Sequence, residues 1–314
     1  MTTTFARNGP VQIAYETFGD VGAQPLLLVS GLDYQMVWWP EELCTALADR
    51  GFHVTRFDYR DTGLSTQFTD TVHGGPWKAL LTGSKAAPYR SQDMIADVLA
   101  VQDALGWSSA HLLGASMGAA MAQLTAILHP ERVRTLTLAS GIPMGGNPLR
   151  VLPYLHLGAF AKLATRRYGP ERAEQERMLI DVLRATYTDT YPMDEEWAKH
   201  TASVSYDRRP PDPAARNRQL AAGRAAKIPK DALGQITAPT LVIHGEADPL
   251  VRPSAARALV RAIPGARLVT YPGMGHSLPP ALWPRVLDEI SALTTKPGTP
   301  PAPASGTRGK AKQP

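Results

Sequence analysis

Apolar and polar positions follow two different periods along this chain. Val11, Ile13 and Tyr15 alternate with polar neighbours, and Leu26-Leu27-Leu28-Val29 is an unbroken apolar run closed by Ser30-Gly31. Alternation predicts a half-buried strand, and a short continuous run predicts a strand covered on both faces. Similar runs recur at 53–58, 110–114, 133–138, 239–243 and 267–271. Stretches of helical period lie between them, at 41–50, 91–105, 117–128, 254–263 and 284–293. Regular alternation of strand and helix predicts an α/β fold, a mostly parallel sheet with helices on both faces.

The alternation stops between about Ile142 and Ile236, where segments rich in Arg, Ala and Leu have helical character and no strand pattern. This predicts an α/β core over 1–142 and 231–293, with an inserted helical cap at 143–230. Arg208-Arg209-Pro210-Pro211-Asp212-Pro213 reads as a turn or extended link, because its prolines forbid a helix interior. Residues 294–314 hold five prolines and no large apolar side chain, so they are expected to form a disordered tail. There is no internal repeat.

Composition sharpens this picture. With 314 residues, 44% apolar and 19% charged, the chain can bury a large core, which excludes wholesale disorder. The net charge of +5 comes largely from Lys296, Arg308, Lys310 and Lys312, with no acid in that tail. The insertion is basic and the core acidic, but no Lys/Arg-dense helix with interleaved aromatics points to nucleic acid. The arginines of the insertion read as a solvated face. A single cysteine, Cys44, cannot form an internal disulfide and fits a small apolar packing role. The N-terminus lacks the charged and apolar regions of an export signal, and no run approaches about 18 apolar residues. A soluble, cytoplasmic chain with no membrane partner is expected. The pattern leaves its oligomeric state open.

The candidate chemistry starts at Gly114-Ala115-Ser116-Met117-Gly118, which fits G-x-S-x-G between a predicted strand and a predicted helix. A serine on that sharp turn projects its hydroxyl above the sheet beside a helix N-terminus, and small neighbours let strand and helix approach. The bland alternative is a glycine-rich turn whose serine caps the helix. Among eight histidines, only His276 lies in a glycine-rich loop after a late strand, Pro272-Gly273-Met274-Gly275-His276-Ser277. His53 and His111 belong to strands, His129 ends a helix, His73 and His200 read as surface, and His156 falls in the insertion. His244 ends a strand near the expected site, with packing or a loop hydrogen bond as its favoured role. Asp248 is the best-placed orienting acid, with Glu246 the runner-up. The order Ser116, Asp248, His276 matches the α/β-hydrolase triad order.

On these residues the chain resembles an α/β-hydrolase over about 10–293. Ser30-Gly31-Leu32-Asp33, Trp38-Trp39-Pro40 and Phe57-Asp58-Tyr59-Arg60-Asp61-Thr62-Gly63-Leu64-Ser65 resemble the aclacinomycin methylesterase group within that superfamily. Ser30-Gly31 stands where the commoner pattern has His-Gly, and Arg60-Asp61-Thr62-Gly63 where it has Arg-Gly-x-Gly. The resemblance implies oxyanion donors at the Leu32 and Met117 amides and a Ser116 acyl-enzyme; with no H-E-x-x-H zinc spacing, P-loop or Rossmann G-x-G-x-x-G after a strand, no cofactor or metal is expected. It implies a serine carboxylic ester hydrolase acting on a bulky small-molecule ester or lactone, such as a polyketide methyl ester or a macrolide. Perhydrolase, lipase, C–C bond hydrolase or a non-catalytic ligand receptor would use the same scaffold. An iminopeptidase would draw on Glu195 and Glu196.

Asp33, Tyr34, Met36, Trp38 and Trp39 follow the oxyanion strand and are candidates for the pocket mouth, with simple packing of the two tryptophans the competing reading. Met144, Leu152, Tyr154, Leu155, Trp197 and Tyr206 are candidates for its roof. The insertion is expected to shape access, leaving the triad to the core.

Overall fold

The computed structural model describes residues 2–69, 88–145, 148–224, 228–229 and 231–295. Its strands are β1 (Thr4–Asn8), β2 (Val11–Phe18), β3 (Gln24–Val29), β4 (Phe52–Phe57), β5 (Ala110–Ala115), β6 (Val133–Ala139), β7 (Thr240–Gly245) and β8 (Arg267–Tyr271). They form one sheet in the order β1-β2-β4-β3-β5-β6-β7-β8. β2 runs antiparallel to both β1 and β4, and every other pair is parallel. The helices are α1 (Glu41–Ala48), α2 (Ser91–Ala104), α3 (Met117–Leu128), α4 (Leu157–Thr165), α5 (Arg172–Arg184), α6 (Glu195–Arg208), α7 (Pro213–Arg224), α8 (Pro253–Ala262) and α9 (Trp283–Thr294).

The continuous apolar runs become central strands because successive side chains point to opposite faces and both faces are covered. Leu27, Val29, Leu112, Leu136, Leu138 and Val242 pack with Val98 of α2, Leu124 of α3 and Leu259 of α8. Leu26, Leu28, Leu113, Leu241 and Ile243 pack on the other side with Leu43 and Leu47 of α1 and Leu287 and Ile290 of α9. Each such buried side chain is worth about 1.5–3 kcal/mol. Cys44 joins the second layer as a fully buried free thiol, and burial pushes its ionisation up to about 12.

Between β6 and β7 the described residues are helical or loop, carrying α4 to α7. Arg208 ends α6, residues 209–212 lie outside any helix, and Pro213 opens α7, where a missing N–H costs nothing. The reading of the insertion's arginines as a solvated face needs correction. Arg208 Nη2 meets Asp58 Oδ2 at 2.6 Å, Arg216 Nε meets Asp33 Oδ2 at 2.7 Å, and Arg218 Nε meets Asp61 Oδ2 at 2.7 Å. These pairs tie α6 and α7 to the loops after β3 and β4. Asp33 and Asp61 both have left-handed backbone, φ 63° and 65°. Asp61 thus keeps the conformation natural to the glycine of the commoner pattern and adds a carboxylate for Arg218.

Of the expected tail, Thr294 closes α9 and residues 296–314 lie outside the described residues, as does His73. Among the described residues no helix is long and apolar enough to cross a membrane.

Candidate active site

The candidate residues gather beyond the carboxyl ends of the parallel strands, where such sheets place their ligand sites. Ser116 sits between β5 and α3 at φ 53°, ψ −116°, a strained conformation costing about 1–3 kcal/mol. The strain is held from all sides. A Cβ on Gly118 would run into the carbonyl of Val29, and one on Gly114 into the carbonyl of Gly118. The Ser116 amide donates to Ala139 O at 2.9 Å, extending the β5–β6 ladder by one rung. The Ser116 side chain makes no capping bond to α3, so the capping alternative does not describe this turn.

Two strands along the sheet, beyond β6, Asp248 is buried at the turn after β7. Its Oδ1 accepts the amides of Leu250 and Val251, each at 2.8 Å, and its Oδ2 accepts from His276 Nδ1 at 2.8 Å. A carboxylate of this kind only accepts, so Nδ1 carries a proton, and in the neutral ring this tautomer leaves the lone pair on Nε2. Burial works to raise the Asp248 carboxyl, but His276 and the backbone donor of Val251 outweigh it and hold the group below its ordinary value. Glu246 accepts from Thr270 Oγ1 at 2.7 Å at an exposed position, away from the imidazole.

His244 is fully buried, and its Nε2 donates to Val251 O at 3.0 Å. Burial keeps its imidazole below the ordinary value despite Asp248 nearby, which favours the neutral ring. That is a loop hydrogen bond, the role favoured for it. The structure joins His276 to Asp248 directly. Ser116 has no direct hydrogen bond to the imidazole among the described residues, and in ligand-free sites that bond often tightens only with substrate.

The loop after β3 closes the other side. A Cβ built on Gly31 would lie 3.6 Å from both Ser116 Cβ and Tyr34 Cδ2, which leaves the backbone close against the serine. The Asp33 amide is taken by Gln219 Oε1 at 3.1 Å, and Met117 is the first residue of α3, so its N–H has no partner within that helix. Leu32 lies between Gly31 and Asp33 on this loop.

The aromatic candidates separate. Tyr34, Trp38 and Trp197 form an edge-to-face column, with centroids 5.6 Å and 5.9 Å apart, that links the β3 loop to α6. Trp39 turns the other way, into the α1/α9 layer, with its indole N–H on Ser30 Oγ at 2.9 Å. Met36 is fully buried and its amide donates to Asp58 Oδ1 at 2.6 Å, so it packs the loop instead of opening to a mouth. Tyr206 lies under the exposed Arg172 guanidinium at 5.1 Å, on the outer side of the insertion. Its helix presents Ala198, Ala202 and Ser205 inward, and Tyr206, four residues after Ala202, lies half-buried at the flank of that face. Tyr154 and Leu155 pack on Leu250 and Val251 beside the Asp248 turn, and Met144 packs against the α2/α3 layer. Glu195 and Glu196 pair with Arg184 and Lys199 at exposed positions and do not converge on Ser116.

Two further residues touch the site without any sequence signal. Ser140, at φ 51° after β6, donates its hydroxyl to His276 O at 2.8 Å, and Thr186 of the insertion accepts the His276 amide at 2.8 Å.

Comparison with known proteins identifies the family and the fold. The family described as alpha/beta hydrolase fold matches residues 24–279. The chain is 32% identical to the rhodomycin D methylesterase DauP of Streptomyces sp. (strain C5), over 94% of this chain and 98% of that protein. It is 31% identical to the rhodomycin D methylesterase DnrP of Streptomyces peucetius, with the same coverage. The crystal structure of the esterase RhEst1 from Rhodococcus sp. ECU1013 has the same fold, with TM-score 0.69 and 21% identity over 94% of this chain and 99% of that one.

Proposed function

The chain belongs to the alpha/beta hydrolase fold family and is a carboxylic ester hydrolase, and from that premise we propose that Ser116, His276 and Asp248 are its catalytic triad. Ser116 Oγ attacks the ester carbonyl carbon while His276 Nε2 takes the hydroxyl proton, and Asp248 holds the imidazole in that tautomer. The Leu32 and Met117 amides hydrogen-bond the oxyanion of the tetrahedral intermediate. Its collapse expels the alcohol, which leaves with the proton from His276, and Ser116 is left acylated. Water, deprotonated by His276, then attacks the acyl carbon, and the carboxylic acid departs as Ser116 regains its proton. The observation that carries this reading is a strained, uncapped Ser116 whose amide is anchored on Ala139, next to the Ser140 hydroxyl that holds the carbonyl of His276, an imidazole whose Nδ1 is committed to a buried carboxylate.

For substrate we propose the methyl ester of a polycyclic aromatic polyketide, held under the helical insertion acting as a cap. Two relatives similar over nearly their whole length are named for rhodomycin D methyl ester cleavage. The Tyr34–Trp38–Trp197 column supports the reading as an aromatic wall between β3 loop and cap.

Ser116→Ala, His276→Ala and Asp248→Asn should each retain a folded protein, with the serine variant losing at least about a thousandfold in kcat/KM. A fluorophosphonate should label Ser116, located by mass spectrometry. Near-native turnover by Ser116→Ala, or labelling elsewhere, overturns the mechanism. Across a panel of esters, a polycyclic polyketide methyl ester should be hydrolysed with higher kcat/KM than a macrolide lactone, and the reverse order overturns the substrate reading.

A further inference from the structure

The loop that carries His276 is held from the insertion side as well as from the core. Thr186, 4% exposed in the segment after α5, offers its carbonyl oxygen to the His276 amide at 2.8 Å and to the Ser277 amide at 3.3 Å. Its hydroxyl lies 2.5 Å from Leu183 O and 2.7 Å from Ser277 Oγ. A carbonyl can only accept, so the single Thr186 proton goes to Leu183, and Ser277 must donate to Thr186. Thr188 Oγ1 donates to Gly273 O at 2.6 Å.

The glycines of the loop are explained by the same contact. A Cβ on Gly275 would strike the Thr186 carbonyl, and Gly273, at φ 73°, presses against Thr190. Ser140 holds the His276 carbonyl from the core side. The histidine backbone is therefore gripped between one core residue and one residue of the insertion.

We propose that Thr186 is a positioning residue for His276, so that docking of the insertion completes the triad as well as covering it. The proposal rests on His276 being the catalytic base. It changes the expectation that the insertion shapes access alone: the reaction of even a small ester should depend on Thr186.

The test compares Thr186→Val, which keeps the shape and removes the hydroxyl network, with Thr186→Ser, which restores it. kcat and KM for p-nitrophenyl acetate, the rate of Ser116 labelling by a fluorophosphonate, and the melting temperature are measured for each. Thr186→Val should lose about tenfold to a hundredfold in kcat, the scale of a displacement of about 1 Å at a reacting group, with KM little changed. Labelling should slow in parallel, and Thr186→Ser should recover most of both rates. Gly275→Ala, in which the new methyl group forces the loop off the Thr186 carbonyl, should reproduce the kcat loss without touching the threonine. A Thr186→Val protein that melts lower yet keeps native kcat and labelling rate has lost only structural support, which overturns the proposal. If His276→Ala itself remains active, the triad assignment fails first, and that outcome is read independently of the threonine series.

Discussion

The arginines of the helical insertion fall into two groups that share a side chain and differ in its surroundings. On the seam with the core, Arg208 and Arg218 are 12% and 1% exposed and meet the fully buried carboxylates of Asp58 and Asp61. On the outer face, Arg172, Arg177 and Arg184 are 48%, 58% and 49% exposed and pair with Glu176, Glu174 and Glu195. A buried pair gains a strong Coulomb attraction but gives up two hydration shells, so its net contribution when intact is small. Its asymmetry is what matters: removing one partner strands the other charge in the interior. An exposed pair has little to gain and little to strand. The seam pairs therefore enforce where α6 and α7 sit over the β3 and β4 loops, and the outer pairs decorate a surface.

The largest effect should come from cutting the most buried seam pair. Arg218→Met leaves the Asp61 carboxylate with the Tyr89 hydroxyl at 2.7 Å and the Phe68 amide at 2.7 Å as donors. A stranded buried charge costs about 3–5 kcal/mol, read as a lower midpoint in denaturant unfolding. Removing both charges should recover most of that loss. Asp61→Gly suits the partner change, because glycine adopts the left-handed backbone at this position without strain. If the double variant is as unstable as Arg218→Met alone, the cost lies in lost packing and the contrast between seam and surface fails.

Acid should separate the two regions next. Burial works to raise the Glu16 carboxyl, but Arg56 at 2.7 Å, with Arg208 beyond it, more than offsets this and leaves the group below its ordinary value. A carboxyl lowered on folding contributes stability that is present above its unfolded value, about 4.3 for glutamate. That contribution is lost as pH falls through the lower folded value. Glu195 is also lowered, chiefly by its hydrogen bond to Arg184, but it lies in solvent and its contribution is screened. Melting temperature followed from about pH 6 down to pH 3 should therefore fall less steeply for Glu16→Gln than for the parent. The slope for Glu195→Gln should match the parent. Equal flattening in both variants would erase the distinction.

How much of this was legible beforehand follows from how local each signal is. The Ser116 turn was readable because an apolar run, glycines at fixed offsets and a helix start all fall within a few residues of it. Asp248 and His276 were readable from strand ends and chain order. The alternating segment before Phe18 divides into β1 and β2 at the two-residue loop Gly9-Pro10, a hairpin that Gly9 permits by taking φ 58° at the first loop position. Trp38 and Trp39 are neighbours in sequence yet face the insertion and the core, a separation that the 3-10 turn at Met36–Trp38 makes and no hydropathy pattern reveals. The two kinds of arginine look identical in sequence because their partners lie far along the chain: Arg218 and Asp61 are 157 residues apart. Thr186 and Ser277 are 91 apart, and an isolated threonine after a helix announces nothing about a histidine loop.

The smallest effect should come from the outer face itself. Arg177 pairs with Glu174 at 2.8 Å, three residues apart on α5, and its guanidinium also lies 5.6 Å above the Tyr168 ring. Both contacts are open to water, so replacement loses a screened attraction and regains side-chain entropy that the pairing had cost. Arg177→Ala should change unfolding free energy by no more than about 0.5 kcal/mol, and raising salt from about 0.05 to 0.5 M should shrink even that. The same salt series should leave the Arg218→Met deficit nearly intact, because mobile ions cannot reach a carboxylate with no exposed surface. Should Arg177→Ala rival Arg218→Met, or the Arg218→Met deficit dissolve in salt, exposure would not be what divides these arginines. The position of α6 and α7 would then need another cause.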